Sequence, residues 1–233
     1  MSSTPLLQDM QARAQKDTRT PLVIIDSAVA NVSALGADIT QATDITQADK
    51  QTDVLLLSPV HDGIAQITEA LKGYNNLSSL HIVSHGTPGA LHLGGVQLSF
   101  ENLDQYAPSL KKWANLLQGK EILLYGCQLA KGAIGHLFVQ QLHQLTGANI
   151  AASTARVGRM GDRTNWTLDA QFGTVNTPVA FSEQLQATYA GHFDPVVDFS
   201  VSTDTLIESE GTPFSFIFEL SEPPPEGGTV VRF

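Results

Sequence analysis

Two residues of this 233-residue chain have the types and surroundings for nucleophilic chemistry. Cys127 is the sole cysteine. A thiol attacks a carbonyl only as the thiolate, so it needs a base nearby or another influence that favours the charged sulfur. His85 can be that base. It closes the apolar run in LHIVSHG, and Cys127 closes the apolar run in EILLYGC. The two are 42 residues apart (127 − 85), enough for one crossover with its helix. The carbonyl under attack needs N–H donors where the oxyanion develops. Gly86, directly after the histidine, lets two backbones approach closely there. The bland reading of Cys127 is a small buried hydrophobe, and that of His85 a hydrogen-bonded histidine at a strand end.

Chemistry of this kind needs strands that end side by side. PLVIIDSAV starts with five apolar residues, Pro21 to Ile25, and is rich in β-branched side chains, the pattern of a strand buried on both faces. Asp26 stands at its end. Similar runs are TDVLLLSPV (52–60), LSSLHIVSHG (77–86), KEILLYGC (120–127) and ANIAAST (148–154). Between them, 62–74, 101–118 and 132–147 have helical spacing, with Pro108 expected to break or restart the second and Gly147 to end the third. GALHLGGVQLS (89–99) reads as a hairpin about Gly94-Gly95. NWTLDAQFGT (165–174) reads as a hairpin closing the domain. Strands alternating with helices predict an α/β fold with a mainly parallel sheet and helices on both faces, a three-layer α/β/α sandwich. In such open sheets the functional crevice lies beyond the C-terminal strand ends. Asp26, His85 and Cys127 all fall at such ends.

Composition narrows the function classes. There are 23 Asp and Glu against 13 Lys and Arg, a net charge of −10. That balance argues against nucleic acid or an anionic membrane as a partner and suits a cationic substrate. One cysteine excludes an intramolecular disulfide and a Cys-rich zinc site. With 42% hydrophobic and 15% charged residues, the chain can bury a sizeable core. No apolar run is long enough to span a bilayer, and the first twenty residues lack the apolar region of a secretory signal. The expected division is a tail at 1–19, an α/β domain at 20–193, and a segment at 194–233 that alternates as FSFIFEL and carries Gly and Pro turns. About 36 residues are too few to bury a sandwich core, so the last segment reads as the start of a domain in a longer protein or as a vestigial tail.

The order strand, His-Gly, helix, strand, Gly-Cys resembles the caspase-like cysteine peptidases, over roughly residues 20–180. The resemblance implies a His85–Cys127 dyad and an oxyanion hole formed by the amides of Gly86 and Cys127. It implies that Asp26 lines the pocket for the residue before the cut (P1) and favours Arg or Lys there. The alternative for Asp26 is a cap or a solvated strand-end carboxylate. IVSHGTPGALHLG, ILLYGCQLA and LTGANIAAST are similar to an uncharacterised domain near the N-termini of very large bacterial exoproteins. That likeness calls for an acidic residue directly after IAAST, where this chain has Ala155. SEGTPFSFIFELSEP resembles the opening of a Calx-β domain, in which Glu208 and Glu210 would be candidate calcium ligands.

The function expected from these residues is a cysteine endopeptidase cleaving after basic residues and self-processing within a large secreted or cell-surface protein. A cytoplasmic setting is the runner-up. The substrate is a peptide or protein, including the rest of its own polypeptide. No cofactor is required for the chemistry, and calcium enters only as an activator or in the C-terminal segment. His81 shares a strand face with His85, but no carboxylate at matching spacing completes a metal site. Asp162 and Asp169 are candidates for a second pocket carboxylate, and Arg156, Arg159 and Arg163 form a basic cluster that reads first as an exposed loop, with a processing site or a substrate contact as the alternatives. The competing reading is a catalytically inert module of a calcium-binding, adhesin-like exoprotein. A serine hydrolase needs G-x-S-x-G after a strand, which the chain lacks.

Overall fold

A computed structural model describes residues 20–41, 52–160, 163–193, 197–201 and 216–220. The expected tail at 1–19, Asp162, Glu208 and Glu210 lie outside the described residues. The chain divides into two units, 1–194 and 195–233. In the second, the described backbone is an antiparallel pair, Val197–Val201 with Phe216–Leu220.

The first unit is mixed α/β around one six-stranded sheet. Its strands are β1 (Thr20–Asp26), β2 (Asp53–Leu57), β3 (Leu77–Val83), β7 (Glu121–Leu124), β8 (Asn149–Ala152) and β11 (Ala170–Phe172). Their order is β11-β8-β7-β3-β1-β2. All neighbours pair in parallel except β11, which is antiparallel to β8. Between β3 and β7 lie β4 (Gly86–Thr87), β5 (Ala90–Leu93) and β6 (Val96–Ser99), a separate three-stranded sheet, and β9 (Gly158–Met160) pairs with β10 (Arg163–Asn165) in another. The described helices are α1 (Val32–Gln41), α2 (Gly63–Leu71), α3 (Leu103–Leu117), α4 (Gly132–Thr146) and α5 (Glu183–Thr188).

The strands form where the sequence is apolar without alternation, because each buries both faces. Leu22, Ile24, Leu80, Ile82, Ile122 and Leu124 belong to one core cluster with residues of α2, α3 and α4. Their chain neighbours Val23, Ile25, Val83 and Leu123 belong to a second cluster with Leu35 and Ile39 of α1 and Leu185 of α5. Leu22 to Ile25 are essentially inaccessible to solvent. Each such side chain contributes about 1.5–3 kcal/mol relative to exposure, so one polar substitution there removes a sizeable share of the net stability.

Register decides where the strands end together. Ile25 pairs with Val83, and Ile82 with Leu124. The segments just past these residues, at Asp26, Ser84-His85 and Gly126-Cys127, therefore emerge at one edge. From β1 the chain goes outward to β2, then returns to place β3 on the other side of β1. The order of the sheet reverses there, and such a reversal opens a crevice at the C-terminal strand ends.

Two elements differ from expectation. Helix α3 runs unbroken through Pro108. Pro108 is exposed, and so is Asp104, whose carbonyl lacks the intrahelical partner that the proline removes. That carbonyl can turn to water instead of breaking the helix. The stretch 165–174 is not one hairpin. Its start pairs with β9, while β11 joins β8 in the main sheet. Trp166 and Leu168 are buried between these two pairings, which ties the connecting segment into the second core cluster.

Candidate active site

The site is built where β3 and β7 end. Beyond Val83 the chain turns through Ser84 and His85 into β4, which begins at Gly86. Beyond Leu124 it runs through Tyr125 and Gly126 to Cys127. The two turns touch through glycine backbones. A Cβ placed on Gly86 would stand 2.7 Å from the Gly126 Cα and 3.0 Å from the Cys127 nitrogen. A Cβ on Gly126 would meet Leu91 at 2.6 Å. No other residue fits at Gly86 without moving one strand end, while at Gly126 a side chain would displace Leu91 and press on the Gly86 Cα at 3.2 Å.

This approach aims two amides at one point. The Gly86 N–H donates to the Phe193 carbonyl oxygen at 2.9 Å, and the Cys127 N–H donates to the same oxygen at 3.4 Å. Two converging backbone donors on one carbonyl oxygen are the arrangement that stabilises an oxyanion in acyl transfer.

His85 is 2% exposed. Its Nε2 lies 3.1 Å from the Ala28 carbonyl. A carbonyl only accepts, so Nε2 carries the proton and the neutral ring holds its lone pair on Nδ1. Nδ1 is buried and makes no hydrogen bond of normal geometry. Burial, the largest influence, pushes the imidazole pKa below its usual value, against the opposing pull of the Ala28 and Phe193 carbonyls and of Asp26. The result is a neutral imidazole at pH 7.

Cys127 is fully buried. Its Sγ lies 3.3 Å from the Val157 carbonyl, to which the thiol donates, and accepts from the Val157 N–H at 3.1 Å. A thiolate would keep the second contact. Helix α4 starts five residues later, at Gly132, so the donor at the sulfur comes from Val157. The Val157 carbonyl also accepts from the Phe193 N–H at 3.2 Å, which holds the thiol and Phe193 against one residue.

Residues 191–193 lie antiparallel beside 157–159. Gly158 and His192 form an antiparallel bridge, and the Arg159 N–H donates to the Gly191 carbonyl at 2.7 Å. Gly158 has φ +100°, and a Cβ there would stand 2.6 Å from the Gly191 oxygen. The Phe193 ring is fully buried, edge-on to Trp166 at 5.8 Å between centroids and tilted against Tyr189 at 5.7 Å. The Tyr189 hydroxyl donates to the Ala30 carbonyl at 2.7 Å.

Asp26 is fully buried. Its Oδ1 accepts from the Ala28 N–H at 2.8 Å and stands 3.5 Å from His92 Nδ1, and its Oδ2 accepts from the Gly94 N–H. The carboxylate thus ties the first strand end to the β5–β6 turn and contributes its charge to His85. Asp169 caps the end of β8 through Thr154. Arg159 enters the site through its backbone. His81 is engaged on both ring nitrogens, by Tyr125 at 2.9 Å and Ser79 at 3.1 Å, and burial brings its pKa down to about 4. Among the described residues no group of three or more His, Cys, Asp or Glu is placed to hold a metal ion, and no helix is long and apolar enough to cross a membrane.

Sequence reasoning missed Val157, Gly158 and Phe193. Gly158 follows ARV in an otherwise unremarked loop, and nothing local marks Phe193. The family model of a domain of unknown function (DUF4347) matches residues 22–193, and the chain belongs to that family. No curated protein matches the chain.

Proposed function

We propose that this DUF4347 member is a cysteine endopeptidase of the caspase-like type, with His85 and Cys127 as its dyad. The observation that carries the reading is the convergence of the Gly86 and Cys127 amides on a single carbonyl oxygen, beside a buried imidazole whose Nδ1 makes no hydrogen bond of normal geometry. The three-layer α/β/α form of such enzymes is supported by the two core clusters built from alternating residues of the same strands.

In the mechanism, His85 Nδ1 takes the thiol proton and Cys127 Sγ attacks the substrate carbonyl. The Gly86 and Cys127 amides hold the oxyanion. The imidazolium gives its proton to the leaving amine, and water then hydrolyses the thioester. The Ala28 carbonyl fixes the histidine tautomer and stabilises the imidazolium in between. All these groups belong to the chain itself.

The P1 preference supported best is apolar. Asp26, expected to select Arg or Lys, has both oxygens engaged within the scaffold, while the aromatic cluster of Trp166 and Tyr189 accepts a phenyl ring. The second reading is an inert module of a large exported protein. It is favoured by the complete burial of Cys127 and by a carbonyl already filling the hole. The proposed setting, an exoprotein with a Calx-β domain and calcium downstream, rests on the sequence likeness alone.

The test is hydrolysis of fluorogenic peptides with Phe, Leu, Arg, Lys or Asp at P1, supplied in excess. The enzymes are the Phe193→Ala chain and the same chain with Cys127→Ala. Turnover that requires Cys127 and favours Phe or Leu is expected. Preference for Arg or Lys would restore the Asp26 assignment. Absence of turnover in a folded Phe193→Ala chain, together with a wild-type chain that stays whole, would favour the inert module.

A further inference from the structure

We infer that the chain is its own substrate: the Phe193–Asp194 peptide bond is the bond that Cys127 cuts, presented in cis by residues 191–193 as a strand added to 157–159. This inference rests on the peptidase reading above and goes further by naming the substrate.

Three independent features of 191–193 match a bound substrate rather than a passing loop. The first is the carbonyl. An oxyanion hole exists to hold the oxygen of the bond being broken, and the oxygen it holds belongs to Phe193. The second is backbone pairing. The Phe193 N–H donates to Val157, and the Gly191 carbonyl accepts from Arg159. These bonds lie on either side of the Gly158–His192 bridge, the alternation of an antiparallel ladder. Extended peptides are bound to proteins in this way, by main-chain bonds that fix register irrespective of side chain. The third is the side chain that precedes the bond. Phe193 is buried against Trp166 and Tyr189, in one cluster with Val157 and Cys127.

The position in the chain agrees. The family match ends at residue 193 and the first compact unit at 194. A cut after Phe193 would leave the α/β domain whole and release everything that follows. Holding the bond in cis also supplies a high effective concentration, so the reaction needs no affinity for an external peptide. An amide pair buried without acceptors would be costly. A structural carbonyl could satisfy it, but that role alone requires neither the ladder nor the aromatic cluster.

The thiol proton passes to His85 Nδ1, and Cys127 Sγ bonds to the Phe193 carbonyl carbon. The bond from that carbon to the Asp194 nitrogen breaks, and the nitrogen leaves as an amine with the proton returned by His85. Water adds to the thioester, restoring the thiol and leaving a Phe193 carboxylate. The carboxylate keeps the same contacts, so one cut per chain is the expected stoichiometry.

The experiment follows purified full-length chain by intact mass and N-terminal sequencing. The expected result is fragments 1–193 and 194–233, at a first-order rate unchanged by dilution. Cys127→Ala stays whole. Asp194→Pro also stays whole while keeping Phe193 itself, because the pyrrolidine ring of the tertiary amide crowds the nitrogen that must be protonated and leave. Cleavage at another bond overturns the assignment. A chain that stays whole while Phe193→Ala hydrolyses a Tyr-Ala-Gly-His-Phe fluorogenic peptide in trans overturns self-cleavage and leaves the peptidase standing. If neither occurs, both readings fall. Phe193→Leu, which keeps most of the packing, replaces Phe193→Ala should the latter not fold.

Discussion

Gly86 and Gly126 meet backbone to backbone, so closely that a Cβ on the first would lie 2.7 Å from the Cα of the second. The contact crosses two strand ends and aims the amides of Gly86 and Cys127 at one oxygen. Gly86→Ala must push β3 and β7 apart at that end. A stability loss of about 1–3 kcal/mol is expected from overpacking. A fall in cleavage rate of about 10²-fold or more is expected from the misaligned donors. Urea unfolding and single-turnover rates measured on the same preparation separate the two. A rate equal to wild type would show that the amide pair is not the oxyanion hole.

His85→Gln keeps a polar side chain in the cavity and removes the base. Loss of about 10²- to 10⁴-fold in rate is expected. In the wild type the His85 pKa lies below its usual value, so the base is deprotonated at pH 7. The midpoint of the decline in cleavage rate on acidification should then lie below pH 6.5. A decline centred above 6.5 would contradict the burial of the imidazole as the controlling influence.

Stability carries its own pH dependence through His81. Its folded pKa of about 4 lies below the ordinary 6.5, so the unfolded chain binds a proton that the folded chain refuses. The contribution is complete above pH 6.5 and is lost as pH falls from there toward 4. Over that window it amounts to about 3 kcal/mol. His85 shifts in the same direction and adds to it. Urea midpoints compared at pH 7 and pH 4.5 should differ markedly in wild type and less in His81→Gln. Equal differences would assign the acid sensitivity elsewhere.

Asp26→Asn separates a specificity group from a scaffold group. The amide keeps one acceptor but loses the charge and the fit to Ala28 and Gly94. A stability loss of about 1–3 kcal/mol with unchanged P1 preference is expected. Should cleavage after Arg or Lys exist and vanish in this variant, Asp26 would be the pocket acid.

Gly158→Val tests the strand register from the side of the receiving segment. Gly158 has φ +100°, and a side chain there would meet the Gly191 carbonyl. Residues 191–193 should be displaced and the thiol uncovered. Iodoacetamide should then label Cys127 faster than in wild type, with cleavage after Phe193 reduced. Unchanged labelling would mean that 191–193 does not cover the sulfur.

The parallel strands, their order with the helices, and the placing of Asp26, His85 and Cys127 at strand ends were legible in the sequence. Each is a local signal: an unbroken apolar run for a strand buried on both faces, a periodic run for a helix, a glycine where the run stops. Those signals also misled where local rules met tertiary context. Pro108 stays inside α3 because its exposed position lets the freed carbonyl reach water. The stretch 165–174 splits between two sheets because buried Trp166 and Leu168 hold it between them. Phe193 lies 66 residues (193 − 127) beyond the thiol, and Val157 lies 30 beyond it. Their meeting with Cys127 depends on backbone amides and carbonyls, which every residue carries and no sequence pattern marks. Thus the sequence determined which side chains could do chemistry and on which elements they stand. Only the folded chain decided that its own Phe193 carbonyl accepts from the Gly86 and Cys127 amides, because that contact arises from the closing of loops and the register of strands rather than from any residue type.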